Sequence, residues 1–248
     1  MNHSNGTIQD LVFSSDGYSL TGTLHLPAVN HPPIVFGSHG LLGTRNSPKQ
    51  QGMADLCMNH NWAFFRFDHR GCGDSEGDES DVADFSGRCT DLKHAIKFIL
   101  NRHALNDRVG LFGSSLGGSV CLKVAADVSV QAIITCAAPL CTAPLRQQDD
   151  RAHVPGVPPA IRRNPAFYFD LTKHLSNIRH IMILHGDADT VVPVSHARDI
   201  YERVGNPKKL IIQKQGDHPM SQPFHQQCFY AEAGKWYQHC FMSDGFCF

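Results

Sequence analysis

Short runs of apolar residues alternate with amphipathic stretches along most of the chain. Apolar runs of this length, rich in β-branched and aromatic residues, are typical of strands buried on both faces. Between the second and third runs, Leu92, Ala95, Ile96 and Ile99 recur at i, i+3, i+4 and i+7, which predicts one apolar helix face. Strands that alternate with helices predict a mostly parallel sheet with helices on both sides. The predicted buried strands are PPIVFGSH, WAFFRFD, RVGLFG, AIITCAAP, IMILHG and KLIIQKQ.

Two parts of the chain depart from this rhythm. Near the beginning, Asp16-Gly17 separates two runs of alternating polarity, which predicts a hairpin that adds two antiparallel strands and makes the sheet eight-stranded. From about 139 to 177, prolines are too frequent for regular elements in most of the span. After residue 177 the alternation of apolar strand-like runs with amphipathic stretches resumes. We therefore interpret 139–177 as a short cap inserted over the sheet of a single α/β domain, 1–248.

Composition and charge exclude several classes of function. The formal net charge of the 248 residues is −1, so nothing favours nucleic acid or an anionic membrane as a partner. The first residues are polar and no apolar run approaches the ~18 residues that span a bilayer, so we expect a cytoplasmic protein. The 16 histidines and 9 cysteines show no zinc-site spacing, so we expect neither a metal nor another cofactor.

The stretch Gly113-Ser114-Ser115-Leu116-Gly117 contains two adjacent serines that compete for one role. A Gly-x-Ser-x-Gly turn needs glycine two residues before and two after the nucleophile, because the strand-to-helix turn leaves no room for a Cβ. Only Ser115 fits this frame. An apolar strand precedes it and a helical pattern follows, which favours a nucleophile turn over a glycine-rich turn that only packs or binds phosphate.

A serine hydroxyl needs a base to remove its proton, and the base needs a carboxylate to fix its tautomer. Downstream, Asp187 and Asp189 both follow the strand IMILHG, and His218 follows the next strand, KLIIQKQ. Serine, acid and histidine in this chain order are typical of the α/β-hydrolase arrangement. From position alone, either aspartate could be the acid.

These motifs resemble those of α/β-hydrolase serine esterases over nearly the full length of the chain. The resemblance is to bacterial cinnamoyl and feruloyl esterases and to monoacylglycerol-lipase-like hydrolases, and it implies their fold. In such proteins the acid is the fourth residue of a Gly-x-x-Asp turn, which selects Asp189 and leaves Asp187 in reserve. The loop SHGLLG is similar to the family's oxyanion loop. The resemblance therefore implies that the backbone N–H groups of Leu41 and Leu116 hold an oxyanion, with His39 bracing the loop.

A further segment, FDHRGCGDSEG, resembles the family's Asp-x-Arg-Gly-x-Gly-x-Ser pattern from Asp68 through Ser75. The resemblance implies that Asp68 and Arg70 form a charge pair that holds a glycine-rich loop beside the site. One departure concerns His218, which is followed directly by Pro219. The loop must still bring the imidazole to Ser115.

The resulting hypothesis is a serine hydrolase that cleaves carboxylic esters through an acyl-enzyme, with a small-molecule ester as its partner. The short cap and its aromatic run Phe167-Tyr168-Phe169 favour short to medium or aryl-acyl groups, unless these rings only anchor the cap. Alternatives on the same residues are acyl transfer, peptide cleavage or C–C bond cleavage, and a non-catalytic ligand-binding homologue. A homodimer is left open.

Overall fold

The computed structural model describes residues 6–142 and 157–242, which form an eight-stranded sheet with helices packed on it. The strands are β1 (Thr7–Ser15), β2 (Tyr18–Leu26), β3 (Ile34–Ser38), β4 (Ala63–Phe67), β5 (Val109–Ser114), β6 (Ala132–Cys136), β7 (Ile181–Gly186) and β8 (Lys208–Gln213). The helices are α1 (Pro48–Asn59), α2 (Phe85–Leu100), α3 (Leu116–Ala125), α4 (Pro159–Arg163), α5 (Ser195–Arg203) and α6 (Pro223–Met242).

The strand order is β1-β2-β4-β3-β5-β6-β7-β8. β1 and β2 form the predicted antiparallel hairpin, and β2 pairs antiparallel with β4. From β4 through β8 every pair is parallel. The predicted mostly parallel, eight-stranded α/β sheet is therefore confirmed. Because parallel strands end at one edge, the loops after β3, β5, β7 and β8 meet there.

The sheet separates two apolar cores. Alternate residues of β3 face opposite sides, so that Phe36 joins the core beneath α2, α3 and α5 while Val35 joins the core beneath α1 and α6. The predicted apolar face of α2 is buried as expected. Burial on both faces explains why the strands read as continuous apolar runs rather than alternating ones. Among the residues described, no helix is long and apolar enough to cross a membrane.

Of the predicted cap, the structure describes residues 139–142 and 157–177, so Pro144, Arg146, Arg151 and Pro155 lie outside the described residues. The aromatic residues of the run Phe167-Tyr168-Phe169 make different contacts. Phe169 stacks on Phe85 of α2 with 3.9 Å between ring centroids, which anchors the base of the cap to the domain. Phe167 is buried and lines the cavity above the carboxyl edge of the sheet. Both interpretations of the run are therefore correct, each for a different ring.

The predicted pair between Asp68 and Arg70 is wrong. The Arg70 guanidinium binds Asp91 of α2, with Nη2 2.8 Å from Oδ1, and Asp68 instead pairs with Arg45 from the loop after β3. The carboxylate of Asp68 also accepts a hydrogen bond from the backbone N–H of Asp74 at 3.1 Å, within the glycine-rich loop. Spacing along the chain cannot identify such partners, since each comes from an element distant in sequence.

Candidate active site

Ser115 lies at the turn between β5 and α3 in a conformation that L-residues rarely adopt. Its φ and ψ are 53° and −129°. A Cβ on Gly113 would lie 2.2 Å from the carbonyl oxygen of Gly117, and one on Gly117 would lie 2.1 Å from that of Ser38. The turn therefore needs glycine at both positions, as the motif predicts. A strained non-glycine residue held by such close packing is characteristic of functional sites.

Ser115, His218 and Asp189 form one hydrogen-bonded chain. Nε2 of His218 lies 3.1 Å from Oγ of Ser115, and Nδ1 of the same ring lies 2.7 Å from Oδ2 of Asp189. Pro219 after the histidine does not prevent this approach. Ser114 is the last residue of β5 and is in register with Cys136 of β6. The imidazole of His218 bonds to Ser115, not to Ser114. The structure thus brings together the three residues selected from sequence.

The carboxylate of Asp189 is fully buried and surrounded by donors. Oδ1 accepts the backbone N–H groups of Val191 and Val192, both at 2.8 Å. Oδ2 lies 3.2 Å from Nε2 of His185, a buried side chain at the end of β7. Burial alone would raise the pKa of Asp189, but hydrogen bonds from His185 and His218 outweigh it and hold that pKa well below its usual range. The carboxylate is therefore ionised and oriented toward His218.

Asp187 has a different environment. It is exposed, and its Oδ1 accepts the backbone N–H of Gln215 at 2.5 Å. Its own N–H donates to the carbonyl of Gln213 at 3.1 Å. These bonds tie the turn after β7 to the loop that carries His218, so Asp187 acts as a brace between two loops.

The loop after β3 lies directly against Ser115. A Cβ on Gly40 would be 3.4 Å from the Cβ of Ser115. Nε2 of His39 accepts the backbone N–H of His69 at 3.2 Å, which assigns the ring proton to Nδ1, and Nδ1 donates to the carbonyl of Gly40 at 2.8 Å. In a trans peptide the C=O and the following N–H point in opposite directions. His39 therefore orients the N–H of Leu41, which confirms its predicted bracing role.

The second predicted donor, the N–H of Leu116, belongs to the first residue of α3. N–H groups in the first turn of a helix have no acceptor within that helix. The positive end of the α3 dipole also favours negative charge at this point. The two N–H groups thus belong to segments that both adjoin Ser115.

Arg88, in the first turn of α2, holds the same loop from below and was missed by sequence reasoning. The side chain is completely buried, and its guanidinium donates to the carbonyls of Leu41 at 2.9 Å and Val82 at 2.9 Å. Burial lowers the pKa of this group. A signal was present in the sequence, because Arg88 lies four residues before Leu92 and so falls on the apolar face of the helix.

A cavity of about 630 Å³ opens beside Ser115. Its wall is mostly apolar, with Leu41, Leu42, Val157 and Phe167 among the residues that form it. No group of three or more His, Cys, Asp or Glu side chains within 6–142 and 157–242 is arranged to hold a metal ion. The site therefore offers a nucleophile, a base and backbone donors at the end of an apolar cavity.

Comparisons with known proteins identify the family and the fold of the chain. The Hydrolase_4 family model, described as serine aminopeptidase, S33, matches residues 30–163, just over half of the chain. The chain is 27% identical over 198 residues to the uncharacterized protein YfhR of Escherichia coli K12, and the match covers 77% of this chain and 65% of that protein. It is 27% identical over 217 residues to the mouse mitochondrial palmitoyl-protein thioesterase ABHD10, covering 77% of this chain and 70% of that protein.

Among solved structures, the chain is similar to Est1E from Butyrivibrio proteoclasticus, which was determined with bound ferulic acid. It superposes with a TM-score of 0.78 at 17% identity, over 93% of this chain and 99% of that one. At this identity the likeness establishes the fold. The chain spans just under two thirds of the length of YfhR, 65%. Together with the family match, which spans the loop after β3 and the Ser115 turn, these findings establish that the chain belongs to the serine aminopeptidase S33 family of α/β-hydrolases.

Proposed function

We propose that this hydrolase cleaves carboxylic esters through an acyl-enzyme formed on Ser115. The observation that carries the proposal is the hydrogen-bonded chain from Ser115 through His218 to the buried Asp189, with distances of 3.1 and 2.7 Å. These separations lie within the reach required of a nucleophile, its base and the group that orients the base.

In the proposed reaction, Oγ of Ser115 attacks the ester carbonyl while Nε2 of His218 takes its proton. The oxyanion of the tetrahedral intermediate accepts hydrogen bonds from the N–H groups of Leu41 and Leu116. Collapse of the intermediate breaks the ester C–O bond, and His218 returns the proton to the departing alcohol. A water molecule, deprotonated by His218, then attacks the acyl group; the bond between the acyl carbon and Oγ of Ser115 breaks, His218 returns the proton to Oγ, and the acid is released. The residues present require no cofactor for these steps.

For the substrate we propose short to medium acyl or aryl-acyl esters. A cavity of about 630 Å³ lies within the range of ~300–1,000 Å³ common for small-molecule sites, and its apolar wall suits an alkyl or aryl group. The fold is shared with Est1E, which binds ferulic acid. Phe167 in the cavity wall supports an aromatic acyl group.

Peptide cleavage is the second candidate, since the family description names a serine aminopeptidase. An aminopeptidase must bind the charged amino group of its substrate, for which a carboxylate is the natural partner. The described residues that line the cavity include Lys49 but neither Asp nor Glu. This charge pattern favours an ester over a free-amine peptide.

The function is tested with p-nitrophenyl esters from acetate to palmitate, methyl ferulate, and aminoacyl p-nitroanilides. We expect turnover of the shorter esters and none of the anilides. A rate maximum at sixteen carbons would contradict the short-acyl proposal, and absence of ferulate turnover would remove its aromatic branch. Hydrolysis of the anilides alone would replace the esterase assignment with the peptidase one.

The nucleophile is tested by exchanging each serine in turn. Ser115→Ala should lower kcat by about 10⁶-fold and abolish labelling by a fluorophosphonate probe, because the three residues act as a unit. Ser114→Ala is the matched control and should retain most activity, since the imidazole bonds to Ser115. Labelling that survives in Ser115→Ala and disappears in Ser114→Ala would reverse the assignment.

A further inference from the structure

Lys49 stands out in the wall of the cavity that contains Ser115. Lys49 is a half-buried residue of α1. Among the described residues that line the cavity it is the one that carries a formal charge, and the other side chains are apolar, small or neutral. The reaction proposed for Ser115 does not use this ammonium group.

Lys49 forms no salt bridge with a carboxylate within the part of the chain that the structure describes. Asp217, on the loop that carries His218, has its pKa lowered mainly by hydrogen bonds from Ser221, from the N–H at 2.7 Å and from Oγ at 2.5 Å, and only in a smaller part by the more distant charge of Lys49. The charge of Lys49 also acts on the thiol of Cys136, at the end of β6 in the same cavity wall. Lys49 therefore shares the wall of the cavity with Ser115 and His218 and forms no salt bridge among the described residues.

The position of Lys49 does not stabilise its own helix. It is the second residue of α1, after Pro48, and the first turn contains no acidic residue. A cation there opposes the helix dipole, which is unfavourable for the helix. Local rules of this kind are most often broken where a residue serves a function.

We propose that Lys49 binds a carboxylate of the substrate, so that the preferred substrates are esters bearing a negative charge away from the scissile bond. The inference rests on the proposed esterase function and specifies its substrate class. In a largely apolar cavity the attraction between an ammonium and a carboxylate is less screened than at an open surface. The free cation of Lys49 gains a partner, and the substrate is oriented with its charge at α1.

Two pairs of esters separate charge from shape. The first pair is the mono-p-nitrophenyl ester of glutaric acid and its neutral methyl ester, in which the charge lies on the acyl side. The second is 3-(4-acetoxyphenyl)propanoate and its methyl ester, in which the charge lies on the alcohol side. In the wild-type protein we expect about a tenfold higher kcat/KM for the anionic member of one pair, and that pair identifies the side that faces Lys49.

Lys49→Met should abolish the preference, with kcat/KM for the anionic member falling about tenfold relative to its neutral partner, and Lys49→Arg should retain the preference. Lys97→Met removes an exposed charge from α2 and is the matched control. It should change kcat/KM for neither member of a pair. Equal rates within both pairs, or a preference that survives Lys49→Met, would overturn the inference while the esterase function stands. Absence of turnover of all four esters would instead refute the esterase function.

Discussion

At the scale of single residues, Asp187 and Asp189 show how environment separates two side chains that the sequence presents as near equals. Asp189 is buried, accepts two backbone N–H groups and lies 2.7 Å from His218. Asp187 is exposed and binds the N–H of Gln215. Only the first arrangement holds an ionised carboxylate against the imidazole.

Asp189→Asn should lower kcat by about 10³–10⁴-fold, because an amide no longer holds His218 in the tautomer that accepts the Ser115 proton. Asp187→Asn keeps a side-chain oxygen for the N–H of Gln215 and should lower kcat less than about threefold. Steady-state hydrolysis of p-nitrophenyl butyrate compares the two variants. Similar losses in both would contradict the assignment of Asp189 as the acid.

At the scale of elements, the position of Ser115 depends on how closely α3 approaches β3. Gly117 lies against the backbone carbonyls of Ser38 and His39, with no space for a methyl group. The same contact places the loop after β3 beside Ser115. Packing of helix on strand thus sets the geometry of both.

Gly117→Ala should lower the free energy of unfolding by about 1–3 kcal/mol, because the added methyl group forces α3 away from rigid backbone. Gly234→Ala in α6 is the matched control. Its added Cβ would meet the tip of the His60 ring at 3.1 Å, a side chain that can move, and alanine favours the helix. Urea unfolding should show a lower midpoint for the first variant and little change for the second. An unchanged midpoint for Gly117→Ala would contradict the close-packing argument.

At the scale of the whole molecule, three buried histidines couple stability to pH. Burial lowers the pKa of His25 to about 4, with a further contribution from Arg66, and lowers the pKa of His69 to about 4, with the charge of Arg88 adding to it. Burial also places the pKa of His39 well below its ordinary value of 6.5. The folded protein therefore keeps these rings neutral at a pH where the unfolded chain protonates them.

Because the folded pKa values lie below 6.5, the unfolded state binds the additional protons, and stability must fall as pH decreases from about 6.5 toward 4. Each of the fully buried His39 and His69 contributes up to about 1.4 kcal/mol per pH unit in this window. Urea unfolding at pH 5.0, 5.5, 6.0 and 6.5 measures the slope.

His25→Gln should make that slope shallower, since glutamine can still accept the hydrogen bond that Arg66 Nε donates at 3.0 Å but does not titrate. Stability that stays constant or increases between pH 6.5 and 5.0 would contradict neutral burial of these rings.

The sequence by itself determined the strands, the sheet class and the Ser115 register. These depend on local signals: apolar periodicity, the Asp16-Gly17 turn and the glycines at two-residue spacing from Ser115. Such signals can be recognised in the sequence alone. A strand buried on both faces and a turn without room for a Cβ each restrict which residues can occupy those positions. The homodimer stays a prediction.

Only the tertiary structure decided the polar partners and the charge of the cavity. Asp68 binds Arg45 and Arg70 binds Asp91, and neither pairing is visible from spacing. Likewise, Arg88 reaches the carbonyl of Leu41 in the loop after β3 because α2 packs beneath that loop. Hydrogen bonds and ion pairs join groups from elements far apart in the chain, and their energies depend on burial and direction rather than on sequence separation. Which side chains meet at Ser115 therefore follows from the way the loops converge at the carboxyl edge of the folded sheet.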